Sequence, residues 1–297
     1  MTRFIAEVSS NHHVDLSRCL DFIDIAAALK CTAVKFQLFR IDRLFAPEIL
    51  QASAEHNARR DWELPSEFIP KLAEHCQQVG IKFCCTPFDL EAVNTLEPYV
   101  AFYKIASYEL TWDALLAACA CTGKPVVLST GMANLDEVQH AVAVLRDNQC
   151  QDLTLLHCVS AYPARIEECN LAAIQTLRDH FGCKVGWSDH TVNADVIQRA
   201  RTHWQADVIE FHLDLDGQGA EFDNGHCWLP QQIAALIDDT HAVVIKRMNE
   251  TDESHSSQLA DGNGIKQPVT RELTERDWRA DPEDGLRPFK SIRAEYG

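Results

Sequence analysis

The stretch 153–187, LTLLHCVSAYPARIEECNLAAIQTLRDHFGCKVGW, holds one complete repeat of the fold. Leu153–His157 is a short apolar run. Asn170–His180 is amphipathic with helical period, and Gly182 stands where a C-cap glycine belongs. Lys184–Trp187 is the next apolar run. A strand, a crossover helix and a second strand make a parallel unit.

Moving outward, the same unit recurs along the chain. Further short apolar runs are Phe4–Val8, Ala33–Gln37, Ile81–Cys85, Phe102–Ala106, Val126–Ser129 and Val208–His212. Amphipathic stretches separate them: Leu16–Leu29, Ser66–Val79, Leu90–Leu96, Trp112–Cys121, Leu135–Leu145 and Ala194–Trp204, with Pro230–Val244 as the last. Asn134 is a plausible N-cap, and Gly80 and Gly123 are further helix stops. Strand and helix alternating eight times predict an α/β fold, a (β/α)8 TIM barrel over 1–247. An open doubly wound sheet is the alternative. It calls for a glycine-rich turn after the first strand, and Ser9-Ser10-Asn11-His12 is not one. The long charged connection Arg40–Pro65 is a lid candidate. Residues 248–297 are polar and aperiodic and read as a C-terminal tail.

Composition narrows the function. Lys and Arg number 27 against 44 Asp and Glu, a formal charge of −17. So acidic a chain is a poor binder of nucleic acid or of an anionic membrane surface. No run is long and apolar enough to span a bilayer, and no secretory signal opens the chain, so a cytoplasmic location is expected. The 12 cysteines are scattered and include no C-x-x-C, which fits reduced, mostly buried thiols.

A barrel builds its active site at the C-terminal ends of its strands. Those ends carry Glu7; Lys35 and Gln37; Lys104, Ser107 and Glu109; Ser129; His157, Ser160 and Tyr162; Ser188, Asp189 and His190; and Glu210 and His212. One polar residue at a strand end is an ordinary rim residue; a whole ring of them is not. Charges in or beside apolar runs cost several kcal/mol if unpaired, about 1–3 or more each, so Glu7, Lys35, Lys104 and Glu210 need one another or a ligand. Lys35 and Lys104 with the hydroxyls of Ser107, Ser129 and Ser188 suit a phosphate or carboxylate. His190 and His212 come from neighbouring strands and suit a shared divalent ion with open positions. The alternative is a metal-free pair held by Asp189 and Glu210. Glu7 is the candidate proton-transfer group. His12 and His13 read as loop residues, and His157 equally as a core histidine.

These residues lie in segments that together resemble the N-acetylneuraminate (sialic acid) synthase family, which includes legionaminic and pseudaminic acid synthases and spore-coat polysaccharide enzymes. The segments are IAEVSSNH (5–12), AVKFQLF (33–39), TPFD (86–89), YKIASYEL (103–110), GKPVVLSTGMA (123–133), LLHCVSAYPA (155–164), VGWSDHT (185–191) and VIEFHLDLD (208–216). The resemblance implies condensation of phosphoenolpyruvate with an open-chain, N-acetylmannosamine-like amino sugar, giving a nonulosonic acid and phosphate for surface polysaccharide. It implies a metal on His190 and His212, with Mn²⁺ foremost and Mg²⁺, Fe²⁺ or Zn²⁺ as alternatives. It places Lys35, Lys104, Ser107, Ser129 and Ser188 on phosphoenolpyruvate, and Glu7 on the proton or water that completes the reaction. It places Gln37, Glu109, Ser160, Tyr162 and Asp223 on the sugar, and Glu210 beside the metal. It also implies a homodimer.

The chain departs from the family in three places. His12-His13-Val14 replaces a glycine-containing turn. Gly217–Asp223 replaces a Pro-Gly-Pro-Asp type loop and adds Glu221. The resemblance implies an antifreeze-like C-terminal domain whose arginine covers a partner's site; Gly285–Ser291 reads as the lead-in to it, and the expectation here is a short form in which Arg287 or Arg293 covers the site, a separate capping protein does, or the sugar needs no such arginine. Two other functions fit the residues: a Schiff-base aldolase of a 2-keto acid using Lys35 or Lys104, and a catalytically silent sugar-binding barrel.

Overall fold

The computed structural model describes residues 2–238 and 260–264. Eight parallel strands run in chain order: β1 (Arg3–Glu7), β2 (Ala33–Leu38), β3 (Lys82–Pro87), β4 (Phe102–Ile105), β5 (Val126–Ser129), β6 (Leu153–Cys158), β7 (Lys184–Asp189) and β8 (Val208–Leu213). The pairing of β1 with β8, Ile5 opposite Glu210, closes the barrel. A two-residue strand, β9 (Cys227–Trp228), adds in parallel beside β8, with His212 opposite Cys227.

Local chemistry explains the alternation. The strands are apolar on both faces because helices cover the outside and side chains fill the inside. The helix Leu135–Asp147 starts at the expected Asn134, which forms a capping box with Glu137. Gly80 and Gly182 end their helices at φ 79° and 59°, a conformation other residues adopt at a cost. Phe22, Ile23, Leu72, Leu116, Leu145, Leu177 and Ile197 are buried between helices and strands in the main core. Inside the barrel, a second layer of Ile5, Ala33, Cys84, Phe102, Val127, Leu156 and Val208 plugs the lower end. The barrel is therefore a floor with an open top.

The connection after β2 holds short helices at Ile41–Leu44, Pro47–Ala52 and Ala54–Ala58. Phe39, Ile41, Leu44, Phe45 and Ile49 give it an apolar cluster of its own with Phe88. It is a folded layer over the mouth rather than an extended loop. Among the described residues, no helix is long and apolar enough to cross a membrane.

The barrel and tail boundary at 247/248 lies outside the described residues, as do Arg287 and Arg293. Residues 260–264 dock on the barrel. Leu171 and Ala172 donate backbone N–H groups to the carbonyls of Ala260 and Asp261. Arg199 and Trp204 donate to the Asp261 carboxylate, at 2.6 Å from Arg199 Nη2 and 2.8 Å from Trp204 Nε1. This short piece of the expected tail packs beside the later helices and does not line the cavity described next.

Candidate active site

A cavity of about 470 Å³ opens at the C-terminal ends of the strands. Glu7, Lys35, Gln37, Lys104, Ser107, Ser129, Tyr162, Ser188, His190, Glu210 and His212 line it together, as the strand-end reading expected. The structure does not bring Glu109, Ser160 or Asp223 to its wall. Glu109 is buried in the turn Ser107–Glu109. Ser160 is buried beside Gly131, and Asp223 is exposed on the turn Phe222–Asn224.

The buried charges pair with one another. Lys35 Nζ lies 2.7 Å from Glu7 Oε2 and 3.7 Å from Glu210 Oε2. Lys104 Nζ lies 3.7 Å from Glu210 Oε1 and donates to Ser129 Oγ at 2.7 Å. Ser188 Oγ donates to Glu210 Oε1 at 3.0 Å, and Gln37 Nε2 to Glu7 Oε1 at 2.6 Å. Burial works against both lysines, with different outcomes. For Lys35, Glu210 and Glu7 more than offset it and hold the ammonium above its usual range. For Lys104 burial wins, and its pKa falls below the usual value despite Glu210. Burial also pushes Glu210 upward, but Lys104 and Lys35 override it and draw the carboxyl down to about 2.

Gly131 makes room for the hydroxyl cluster. Its N–H donates to Ser107 Oγ at 3.0 Å. A Cβ there would collide with Ser160 Oγ and stand 2.9 Å from both Cys158 Sγ and Ser107 Oγ. Only glycine lets this backbone approach so closely.

The second histidine group differs from the expected pair. His212, Glu221, His226 and Cys227 bring one donor atom each to within 4.8 Å of one another. His190 is not in that group. Its Nδ1 faces the Val159 carbonyl at 2.7 Å, and its ring packs on Tyr162 at 4.2 Å between centroids. It lies against His212 at 5.3 Å, whereas His226 approaches His212 to 4.7 Å. His226 and Cys227 were missed in the sequence because they follow a loop whose course is set by distant residues. Asp214 Oδ2 accepts the N–H groups of Gly217 and Gly219. Asn11, from the end of β1, donates to Leu213 O and accepts the Glu221 N–H at 2.8 Å. Gly219 lies against the Asp214 and Asn11 side chains, where a Cβ would not fit. Arg18 ties Asn11 O to Asp214.

Three buried atoms at this group, His212 Nδ1, Glu221 Oε2 and His226 Nδ1, have no hydrogen-bond partner. Protons are strongly redistributed among the four. Burial opposes charge on His212, but Cys227 and Glu221 raise it to about 10. Burial pushes the Cys227 thiol up, yet His212 and His226 draw it down to about 7. The other deeply buried thiols go the opposite way: burial alone lifts Cys31 and Cys76 to about 12. Convergent, orphaned donors of this kind fit a divalent cation.

The turn His12-His13-Val14 is the other expected departure. His13 and Val14 both adopt positive φ, 53° and 55°. The backbone takes a left-handed conformation here without glycine, the residue that adopts it easily. His12, expected on the loop, is on it but buried, and its Nδ1 accepts the Val14 N–H at 2.9 Å.

Comparisons with known proteins identify the family. The family model described as the NeuB family matches residues 22–251. An uncharacterized protein of Methanocaldococcus jannaschii is 37% identical over 275 residues, 92% of this chain and 76% of that one. An N,N'-diacetyllegionaminic acid synthase of Campylobacter jejuni is 36% identical, over 89% of this chain and 79% of its own. Among solved structures, an N-acetylneuraminic acid synthetase from Leptospira borgpetersenii aligns with a TM-score of 0.73 at 31% identity, covering 86% of this chain and 89% of that chain.

Proposed function

The chain belongs to the NeuB family, and from that premise we propose that it condenses phosphoenolpyruvate with an open-chain N-acetyl amino sugar, giving a nonulosonic acid and inorganic phosphate. The observation that carries this reading is the single cavity in which two buried lysines, three serine hydroxyls and two buried carboxylates meet. Names of similar proteins as legionaminic, pseudaminic and N-acetylneuraminate-phosphate synthases support the product class.

The residues divide the work by chemistry. Lys35 and Lys104, with Ser107, Ser129 and Ser188, hold the phosphate and carboxylate of phosphoenolpyruvate. Their charges are already partly neutralised by Glu7 and Glu210, so they orient an anion without trapping it. C3 of phosphoenolpyruvate forms the new bond to the aldehyde carbon, whose oxygen becomes a hydroxyl; water adds at C2, and the C2–O bond to phosphate then breaks, so that one proton of the water ends on the new hydroxyl and the other leaves with the phosphate. Glu7, 2.7 Å from Lys35, is placed to take the proton from that water. Gln37 and Tyr162 face the sugar from the rim.

Four carboxylates line the cavity against three lysine and arginine side chains, a balance that favours a bound cation. His212 and His226, with orphaned nitrogens, fit a divalent metal, and His190 buttresses them through Tyr162. A bound metal supplies Lewis-acid polarisation of the sugar aldehyde.

The test is phosphate release. Protein with Mn²⁺ or Zn²⁺, phosphoenolpyruvate and a panel of mono- and di-N-acetylated sugars should release phosphate and form a keto acid of matching mass. No release with any sugar removes the reading. The Schiff-base alternative draws support only from the lowered Lys104. Borohydride with a 2-keto acid should therefore leave the protein's mass unchanged; an adduct on Lys104 would favour an aldolase instead.

A further inference from the structure

We propose that Glu221 and Cys227 complete a four-donor site with His212 and His226, in which the cation is held through a thiolate and is a borderline ion such as Zn²⁺, Co²⁺ or Fe²⁺ rather than Mg²⁺ or Mn²⁺. The inference deepens the proposed function: it rests on that reading for the ion's role, but not for its ligands.

Position comes first. His212 and Cys227 are opposite one another in the parallel β8–β9 ladder. Register partners in a ladder project to the same side, so these two donors are fixed by backbone pairing. His226 precedes Cys227 and lines the cavity, and Glu221 arrives from the loop between the strands. Glu221 Oε2 lies 3.5 Å from His212 Nδ1 and 3.7 Å from His226 Nε2. Its other oxygen accepts from Ser9 Oγ at 2.9 Å, which orients the free one inward.

Distance comes second. Donors bound at about 2.0–2.3 Å stand roughly 3.3–3.8 Å apart around a tetrahedral ion. The four here are within 4.8 Å of each other, so small side-chain rotations close the shell. Burial adds to this: His226 is 2% exposed, Cys227 4% and His212 8%. His212 Nδ1 and Glu221 Oε2, buried, 3.5 Å apart and without hydrogen bonds, need a partner between them.

Chemistry comes third. Two imidazoles alone would accept many divalent ions. A thiolate discriminates, because soft sulfur favours zinc, cobalt and iron over the oxygen-seeking magnesium and manganese. The thiolate and carboxylate also bring two negative charges, which neutralise a divalent ion. The phosphate and carboxylate of the substrate then depend on Lys35 and Lys104 rather than on the metal. The donor set thus separates anion binding from metal binding within one cavity.

The experiment is cobalt titration of the chelator-treated full chain, followed by absorption. One equivalent should give a near-ultraviolet sulfur-to-cobalt band. Cys227→Ser should lose that band yet still take up cobalt, with affinity weaker by at least about 10-fold, the lower end of what losing even an outer partner costs. Glu221→Gln should keep the band and also bind more weakly. Zinc should erase the band at one equivalent, and manganese in excess should not. Uptake without the band, or a band that survives Cys227→Ser, overturns the proposal. If Cys227→Ser does not fold, X-ray absorption on the zinc-loaded parent chain decides: one sulfur at about 2.3 Å is expected, and a shell of nitrogen and oxygen alone overturns it. Phosphate release from manganese-loaded protein with no sulfur band would sink this ligand set while leaving the proposed reaction standing. A sulfur band with no phosphate release would do the reverse.

Discussion

Glu7 and Lys35 are register partners across the β1–β2 ladder, and their side chains meet at 2.7 Å with both charges buried. Removing one leaves the other uncompensated. Lys35→Met should cost about 3–5 kcal/mol of stability, read from urea unfolding. The double variant Glu7→Gln, Lys35→Met should recover most of that loss while remaining inactive. Additive losses would mean that the pair is not energetically coupled.

Gly131 sets the second expectation. Gly131→Ala forces a methyl group against Ser160, Cys158 and Ser107. Overpacking of this kind costs about 1–3 kcal/mol. Because Ser107 is one of the atoms displaced, the apparent affinity for phosphoenolpyruvate should fall as well. A variant with unchanged KM would show that Ser107 does not face the anion.

Val14 is a β-branched residue at φ 55°. Left-handed backbone costs a non-glycine residue about 1–2 kcal/mol. Glycine gives back part of this through its freer unfolded chain, so Val14→Gly should stabilise by about 0.5–1 kcal/mol. The Val14 N–H that donates to His12 Nδ1 belongs to the backbone, so glycine keeps that bond. A lower melting temperature would indicate that the Val14 side chain contributes more packing than its backbone costs.

Arg59 lines the cavity from the layer over its mouth, with its guanidinium 5.7 Å from the Trp62 ring centroid and 5.5 Å from that of Phe45. Arg59→Gln should raise KM for phosphoenolpyruvate about 10-fold, near the loss of one exposed charge-assisted contact, with little effect on kcat. A fall in kcat at constant KM would instead place Arg59 at the reacting centre.

Asp261 gives a pH-dependent expectation. Burial pushes its carboxyl up, but the bonds from Arg199 and Trp204 more than offset this and hold it below the usual range. A lowered folded pKa means the stabilisation is present above the unfolded value and lost as pH falls. Asp261→Asn should cost about 1–3 kcal/mol at neutral pH. The gap from the parent should narrow below about pH 4. A gap that stays constant with pH would show that the charge contributes nothing.

The barrel was legible because each strand is a short apolar run and each helix has its own period. Val126–Ser129 and the helix Leu90–Leu96 have the same bounds in sequence and structure. Strand ends then placed eleven site residues on one cavity, since a parallel barrel turns a one-dimensional position into a shared height. What the sequence hid lies beyond the last strand. Cys227–Trp228 is too short to show a period, and His226 gains meaning only from a loop pinned by Asn11 and Asp214. Glu109, Ser160 and Asp223 do not line the cavity, for a related reason. They lie beyond their strand ends, where turn geometry rather than strand register decides direction: Tyr162 reaches the cavity and Ser160, two residues earlier, does not.

The staple made by Asn11 has a consequence for folding. It bonds to Leu213 and Glu221, 202 and 210 residues away along the chain. Contacts of such sequence separation carry a large loop-closure entropy, which more local pairing of the intervening strands reduces. Every metal donor described above lies on the far side of that junction. A chain captured before β1 meets β8 would therefore carry its anion-binding lysines and serines but no assembled metal site, and ligand ions would act on the closing step of folding rather than on its beginning.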